Sequence, residues 1–455
     1  MSTILHLGVG AFHRAHQAAY LHRLRLAGER RWRLVVGNIR NDDAETLRHL
    51  AASRGLYTLE TVTPSGVHRF ETIDAIDQIV PWRVDLADLI SVGAHPDTRI
   101  ISCTVTEAGY YLDGDALKLD DADIGADLRE TARARPGSTL YGALLPILRQ
   151  RMECSAGPLT VLSCDNLRHN GRRLRLGLLQ FLDAAKQAHL ADWVKTNVSF
   201  PNSMVDRITP RPDATVRARV RAATGREDPA AVMSESFIQW VVEDNFVAGR
   251  PAFERVGVQF VVTAAPYEEA KIRILNGSHS CIGWAGALAG FEFVHEAIQD
   301  ERIRGLVADY VADVIPCLPA VGLNAYCETV LERFGNPYLK DTLSRIAQDS
   351  FSKFSGYVLP TIRDRIASGA SIEGVAALPA LLLRFLQRWN AGELFCHYQD
   401  GQSAQASARR ICASTDPVAA LVSDAALFGN LGSDHRIADA VHAKLASIDA
   451  AMNRR

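Results

Sequence analysis

Between Glu268 and Ser280 the chain reads Glu-Glu-Ala-Lys-Ile-Arg-Ile-Leu-Asn-Gly-Ser-His-Ser, which sets a carboxylate (Glu268), a lysine (Lys271), an amide (Asn276) and an imidazole (His279) close together in sequence. On a helix turning about 100° per residue, Lys271, Asn276 and His279 lie within about 140° of one another, with Glu268 on the same side. A lysine acts as a general base when burial or neighbouring cations destabilise its ammonium, and an amide donates to an oxygen that becomes alkoxide-like as its proton leaves. Such a set is suited to taking a proton from a hydroxyl group. An exposed charged helix face is the commoner arrangement of these residue types, and Asn276-Gly277 is a common turn pair, so both readings stand on local grounds.

A second chemical signal opens the chain. Leu5-His6-Leu7-Gly8-Val9-Gly10-Ala11-Phe12-His13 reads as a strand, a Gly-x-Gly turn and the start of a helix. Glycines there let the backbone turn tightly and approach a pyrophosphate at the helix N-terminus. His13 stands where the third glycine of the dinucleotide fingerprint is expected. After a second strand, Leu34–Val36, Asp42 is the candidate for the ribose hydroxyls of NAD. Asp42 and Glu45 also have capping-box spacing, so Asp42 could instead cap a helix. Arg40 could meet a 2′-phosphate, which leaves NADP open. Two more polar clusters, Ser163–Leu167 and Phe200–Pro210, follow apolar runs, where ligand groups or plain hydrogen-bonded turns are both expected.

These residues need elements to hold them. The chain has 455 residues, so two domains are expected rather than one core. Hydrophobic residues make up 47% and charged ones 22%, an ordinary globular composition that excludes disordered and collagen-like classes. With 50 Lys+Arg against 52 Asp+Glu the net charge is -2, so no bulk field points to nucleic acid or an acidic membrane, and small molecules are the expected partners. The eight cysteines show neither a Cys-x-x-Cys pair nor zinc-ligand spacing, which fits reduced thiols in a cytoplasmic protein without a metal. The N-terminus lacks the features of a signal peptide. Ile274–Phe291 carries no Asp, Glu, Lys or Arg and has the minimum length of a membrane span, but its glycines and polar residues read better as a buried, site-forming helix.

Strands are expected at Ile4–Leu7, Leu34–Val36, Arg99–Val105, Leu159–Ser163 and Phe237–Val242, alternating with helical patterns, the best from Gly171 to Leu190. This is the signature of a doubly wound α/β sheet of Rossmann type. Beyond Thr263 helical patterns dominate (Ile303–Val314, Leu343–Ala347, Val375–Trp389, Ile437–Met452), so residues 1–264 are read as a dinucleotide-binding domain and 265–455 as a mainly helical substrate domain.

Taken together, Gly8–Gln17, Thr104–Tyr110, Ser163–Asn166, Asn202–Ile208 and Lys271–His279 resemble the polyol-specific long-chain dehydrogenases, the family of mannitol 2-dehydrogenase and the fructuronate and tagaturonate reductases. The likeness spans nearly the whole chain. It implies zinc-independent, NAD-linked oxidation of a secondary alcohol to a ketone, with Lys271 as general base and Asn166 and Asn276 as amides on the developing alkoxide. It further implies that His279 orients substrate, that Glu268 passes the proton to solvent, and that Asp206, Arg345 and Lys353 line the substrate site. Gly8, Gly10, Phe12, Thr106 and Glu107 fall to the cofactor, and a monomer is expected. Mannitol oxidation and hexuronate reduction are alternatives within the family; a catalytically silent dinucleotide-binding sensor is one outside it.

Overall fold

In the computed structural model, which describes residues 1–319 and 322–452, six parallel strands form the main sheet. They are β1 (Ser2–Leu7), β2 (Trp32–Gly37), β3 (Ile76–Ile79), β4 (Thr98–Cys103), β5 (Leu159–Ser163) and β6 (Val198–Ser199), in the spatial order β3-β2-β1-β4-β5-β6. Because side chains alternate across a strand, each apolar run is divided between two cores. Leu5, Leu7, Ile101 and Val161 enter one, with Ile147, Leu174 and Phe181 of the covering helices. Ile4, Leu34, Ile100 and Leu162 enter the other, with Tyr20 and Leu24. The strand order reverses between β1 and β4, and in such sheets ligands bind beyond the carboxyl ends of the strands at that switch point.

The fold class is the expected one, with three local differences. Phe237–Val242 is not a strand of the main sheet: the observed strand β8 (Gln239–Glu243) lies between antiparallel β7 (Ser203–Asp206) and parallel β9 (Gln259–Val261) in a separate sheet. An apolar run indicates extended backbone but not which edge it pairs with. A hairpin of Tyr57–Val62 and His68–Ile73, joined by Val232–Glu235, was not expected at all. Its strands bear polar side chains, among them the buried Glu60, which is held by Arg219 and His68. The helix expected over Gly171–Leu190 ends at Ala184 and restarts at Ala188, because Lys186 takes a left-handed conformation (φ 56°) that lets the Lys186 and Gln187 amides close on the Asp183 and Leu182 carbonyls.

Two units are distinguished, Met1–Ala265 without Pro64–Gly66, and Pro266 onward with those three residues. The second unit is built around the helix Gly277–Ala289, which is buried on almost every side and packs on the helices Glu301–Val314, Leu343–Ile346 and Ala377–Asn390. The uncharged run is thus a core helix, and among the described residues no helix is long and apolar enough to cross a membrane.

Candidate active site

In the second unit, Ala265–Ala270 is α-helical, Lys271–Asn276 is a π-helical segment, and Gly277–Ala289 resumes the α-helix. Asn276-Gly277 is therefore helical rather than a turn. In a π-turn each N–H reaches the carbonyl five residues back, so residues five apart approach stacking. Lys271 and Asn276, about 140° apart on a regular α-helix, are drawn toward one face. The alternative of an exposed charged face is not what forms: Glu268 is 3% exposed, Lys271 7% and Arg273 8%. Arg273 is neutralised by Glu269 (2.8 Å) and Asp364. The Tyr310 hydroxyl donates to the Arg273 carbonyl at 2.7 Å, within the widened turn. A Cβ on Gly277 would stand 2.0 Å from that hydroxyl oxygen, so glycine is what lets Tyr310 reach the backbone.

His279, three residues beyond Asn276, rests against Phe334 (ring centroids 4.9 Å apart), and its Nε2 lies 3.3 Å from Asp341 Oδ2. Burial lowers the His279 pKa, and the neighbouring Asp341 only partly opposes this. Arg345 grips the same carboxylate through two nitrogens, at 2.8 and 2.6 Å. Although burial pushes the Asp341 carboxyl up, His279 and Arg345 hold it below the usual carboxylate range. Lys353 donates to the Ile346 carbonyl at 2.8 Å, and burial is the main cause that pushes its pKa down to about 8. The structure thus gathers His279 and Arg345 on Asp341, a residue the sequence reading missed. Its four-residue offset from Arg345 was the available signal.

In the first unit the glycine turn opens onto a cleft of about 650 Å³ lined by Gly8, Gly10, Asp42 and Thr106, with Arg40 and Tyr111 on its walls. Gly8 has φ 101°, and a Cβ there would lie 2.4 Å from the Thr104 carbonyl oxygen. Gly10 precedes the helix Ala11–Ala15 with no side-chain cap, and a Cβ on it would project into open space within the cleft. Backbone approach with uncapped amides is what a pyrophosphate requires, so these residues fit a dinucleotide. Asp43, not Asp42, caps the following helix, accepting from the Thr46 amide at 3.4 Å; Asp42 remains exposed on the cleft. Phe12 and Glu107 are not among the lining residues. Phe12 turns onto His16 (5.0 Å between rings), and Glu107 is exposed at the start of a short 3-10 turn.

The loop carrying Thr106, itself at φ 66°, is pinned by buried Asp165, whose Oδ1 accepts from the Val105 and Thr106 amides at 2.9 and 2.8 Å and whose Oδ2 accepts from the Tyr110 hydroxyl at 2.9 Å. Asn166 follows Asp165 and is exposed beyond the end of β5, while Asp206 is buried at the end of β7. His13 stacks on His6 of β1 with ring centroids 3.5 Å apart, which explains how the turn dispenses with a third glycine: a flat ring lies flat against a strand side chain. Among the described residues no cluster of three or more His, Cys, Asp or Glu is placed to hold a metal ion.

The sheet order, glycine turn and cleft define a Rossmann-type dinucleotide-binding unit, followed by a helical unit that bears the lysine and amide. The chain belongs to the mannitol dehydrogenase family, with residues 2–255 matching its Rossmann domain and residues 263–449 its C-terminal domain. It is 53% identical to the D-arabinitol 4-dehydrogenase of Ralstonia nicotianae (98% of this chain, 96% of that protein) and 46% identical to that of Klebsiella pneumoniae (99% of each). Among solved structures it is similar to the mannitol 2-dehydrogenase of Pseudomonas fluorescens in a ternary complex with NAD and D-mannitol, at 34% identity with a TM-score of 0.84 over 99% of this chain and 93% of that one.

Proposed function

We propose that this protein oxidises D-arabinitol at C4 to D-xylulose with NAD, as a cytoplasmic monomer. The observation that carries the reading is near-full-length identity of 53% and 46% to two D-arabinitol 4-dehydrogenases, in a chain that keeps Lys271, Asn276 and His279 on one helix. Gly8, Gly10, Asp42 and Thr106 would hold the dinucleotide, which when bound supplies the hydride acceptor. Lys271, whose burial favours the neutral amine before reaction, takes the proton of the substrate hydroxyl at its Nζ. Asn276 donates its amide to the oxygen as negative charge builds, and Asn166 has the same role by resemblance. Buried Glu268, one turn before Lys271, passes the proton outward. His279 packs against Phe334 with its Nε2 3.3 Å from the Asp341 carboxylate, a setting that suits its ring to orienting a polyol hydroxyl. Asp206 completes the substrate set by resemblance.

A neutral polyol is favoured over a hexuronate by the two cations a carboxylate would need. Arg345 is already bidentate on Asp341, and Lys353 is bonded to the Ile346 carbonyl. The test is NADH formation by the purified protein across a panel of pentitols, hexitols and aldonates. D-arabinitol is expected to be the best substrate, and turnover of an aldonate with none of any polyol refutes the reading.

A further inference from the structure

Arg40 follows β2, where a cation would meet the 2′-phosphate of a phosphorylated dinucleotide. Its guanidinium is engaged elsewhere. Nε donates to the Ser138 carbonyl at 2.8 Å, and a terminal nitrogen donates to the Tyr111 hydroxyl at 2.8 Å and to Asp123 at 3.2 Å. The Tyr111 hydroxyl in turn donates to the same Asp123 oxygen at 2.6 Å. Arg40, Tyr111 and Ser138 all line the cleft, so this side chain ties the loop after β2 to the segment after β4. Asp123 is half-exposed, and first the Tyr111 hydroxyl and then Arg40 hold its carboxyl below the usual range, so it is charged at neutral pH. Resting on the reading of the cleft as a nicotinamide dinucleotide site, we infer that Asp123 and Tyr111 determine the preference for NAD over NADP by occupying Arg40.

Two physical effects act together. A 2′-phosphate near Arg40 would have to displace a carboxylate already paired with it, and would stand close to the negative charges of Asp123 and the cleft-lining Asp42. The 2′-hydroxyl of NAD meets neither obstacle. An exposed ion pair is weak, so the tie can open as the cofactor enters and still bias the choice between two cofactors. Asp123 lies far from the glycine turn in sequence, and no fingerprint position marks it.

The test is kcat/KM for NAD and for NADP in the unmodified protein, in Asp123→Ala, and in Asp123→Ala combined with Arg40→Ala. Asp123→Ala is expected to raise the NADP-to-NAD ratio about tenfold, the size of one charge-assisted hydrogen bond gained by the phosphate. The double variant is expected to lose that gain. An unchanged ratio in Asp123→Ala, with NAD turnover intact, overturns the inference. So does a gain that survives loss of Arg40, which would transfer the phosphate to another cation such as the cleft-lining Lys118. If unmodified protein neither turns over nor binds NADH by fluorescence titration, the dinucleotide reading itself fails, and the inference with it.

Discussion

Removing the imidazole of His6 is expected to make the first unit less sensitive to acid. His6 is fully buried in β1; its Nδ1 is 2.8 Å from the Ser102 hydroxyl and its Nε2 3.0 Å from the Gly8 carbonyl. Burial pushes its pKa down to about 3, with the Gly8 carbonyl opposing in part. Because the folded pKa is depressed, the unfolded chain binds this proton first, so the stability His6 supplies is present above about pH 6.5 and is lost as pH falls toward 3. Between about pH 7 and pH 5 the loss from His6 alone comes to about 2 kcal/mol. His13, stacked on it and also lowered by burial, acts in the same direction. His22, raised by its hydrogen bond to Glu71, acts in the opposite one, equally with or without His6. His6→Asn keeps an acceptor and donor near Ser102 without a titrating ring, and any packing penalty cancels when each protein is compared with itself. Native-state hydrogen exchange of the β1 amides, corrected for the intrinsic pH dependence of exchange, reads the opening free energy of this unit. The variant should lose about 2 kcal/mol less than the unmodified protein on going from about pH 7 to pH 5. An equal loss in both would refute the assignment of His6 as a buried neutral group.

Lys271→Ala should lower kcat by about two to four orders of magnitude while NADH binding persists, as expected for loss of a general base, measured by steady-state kinetics and fluorescence titration. Unchanged turnover would remove Lys271 from that role. Glu268→Gln should cost less, with the pH profile of kcat displaced, because proton release is slowed rather than its acceptor deleted. Tyr310→Phe removes the hydroxyl on the Arg273 carbonyl and should cost about 1 kcal/mol of stability, with kcat falling more than KM rises. Equal effects on both constants would mean that Tyr310 does not hold the catalytic turn.

What could be read from the sequence follows from the range of the forces involved. The parallel sheet was legible because burial on both faces leaves Val- and Leu-rich runs such as Leu159–Ser163, and the glycine turn because φ 101° at Gly8 accepts few other residues. The second sheet was not, since β8 differs from a main-sheet strand only in its partners, Ser203–Asp206 and Gln259–Val261. Glu268, Lys271, Asn276 and His279 were named from residue type and resemblance. The π-segment that carries two of them was invisible, because 100° per residue was the only geometry the pattern could test. Asp341 and Asp165 were missed for a related reason. Each is one acid among many, and its meaning lies in what it grips: Arg345 and His279 in one case, the Val105 and Thr106 amides in the other.

The π-segment also imposes a rule on chain length. Deleting any one residue from Ile272–Leu275 would let the helix relax to regular geometry, with Gly277–Ala289 anchored in its core as before. Lys271 and Asn276, then four residues apart on a regular helix, would still share a face, about 40° from each other, as the π-turn now places them. Chain length and helix geometry are therefore coupled: with every residue present, Lys271 stays in phase with His279 only while the widened turn persists, and its relaxation to a regular helix without a deletion would swing Lys271 and Glu268 by about 100° around the axis relative to the buried anchor.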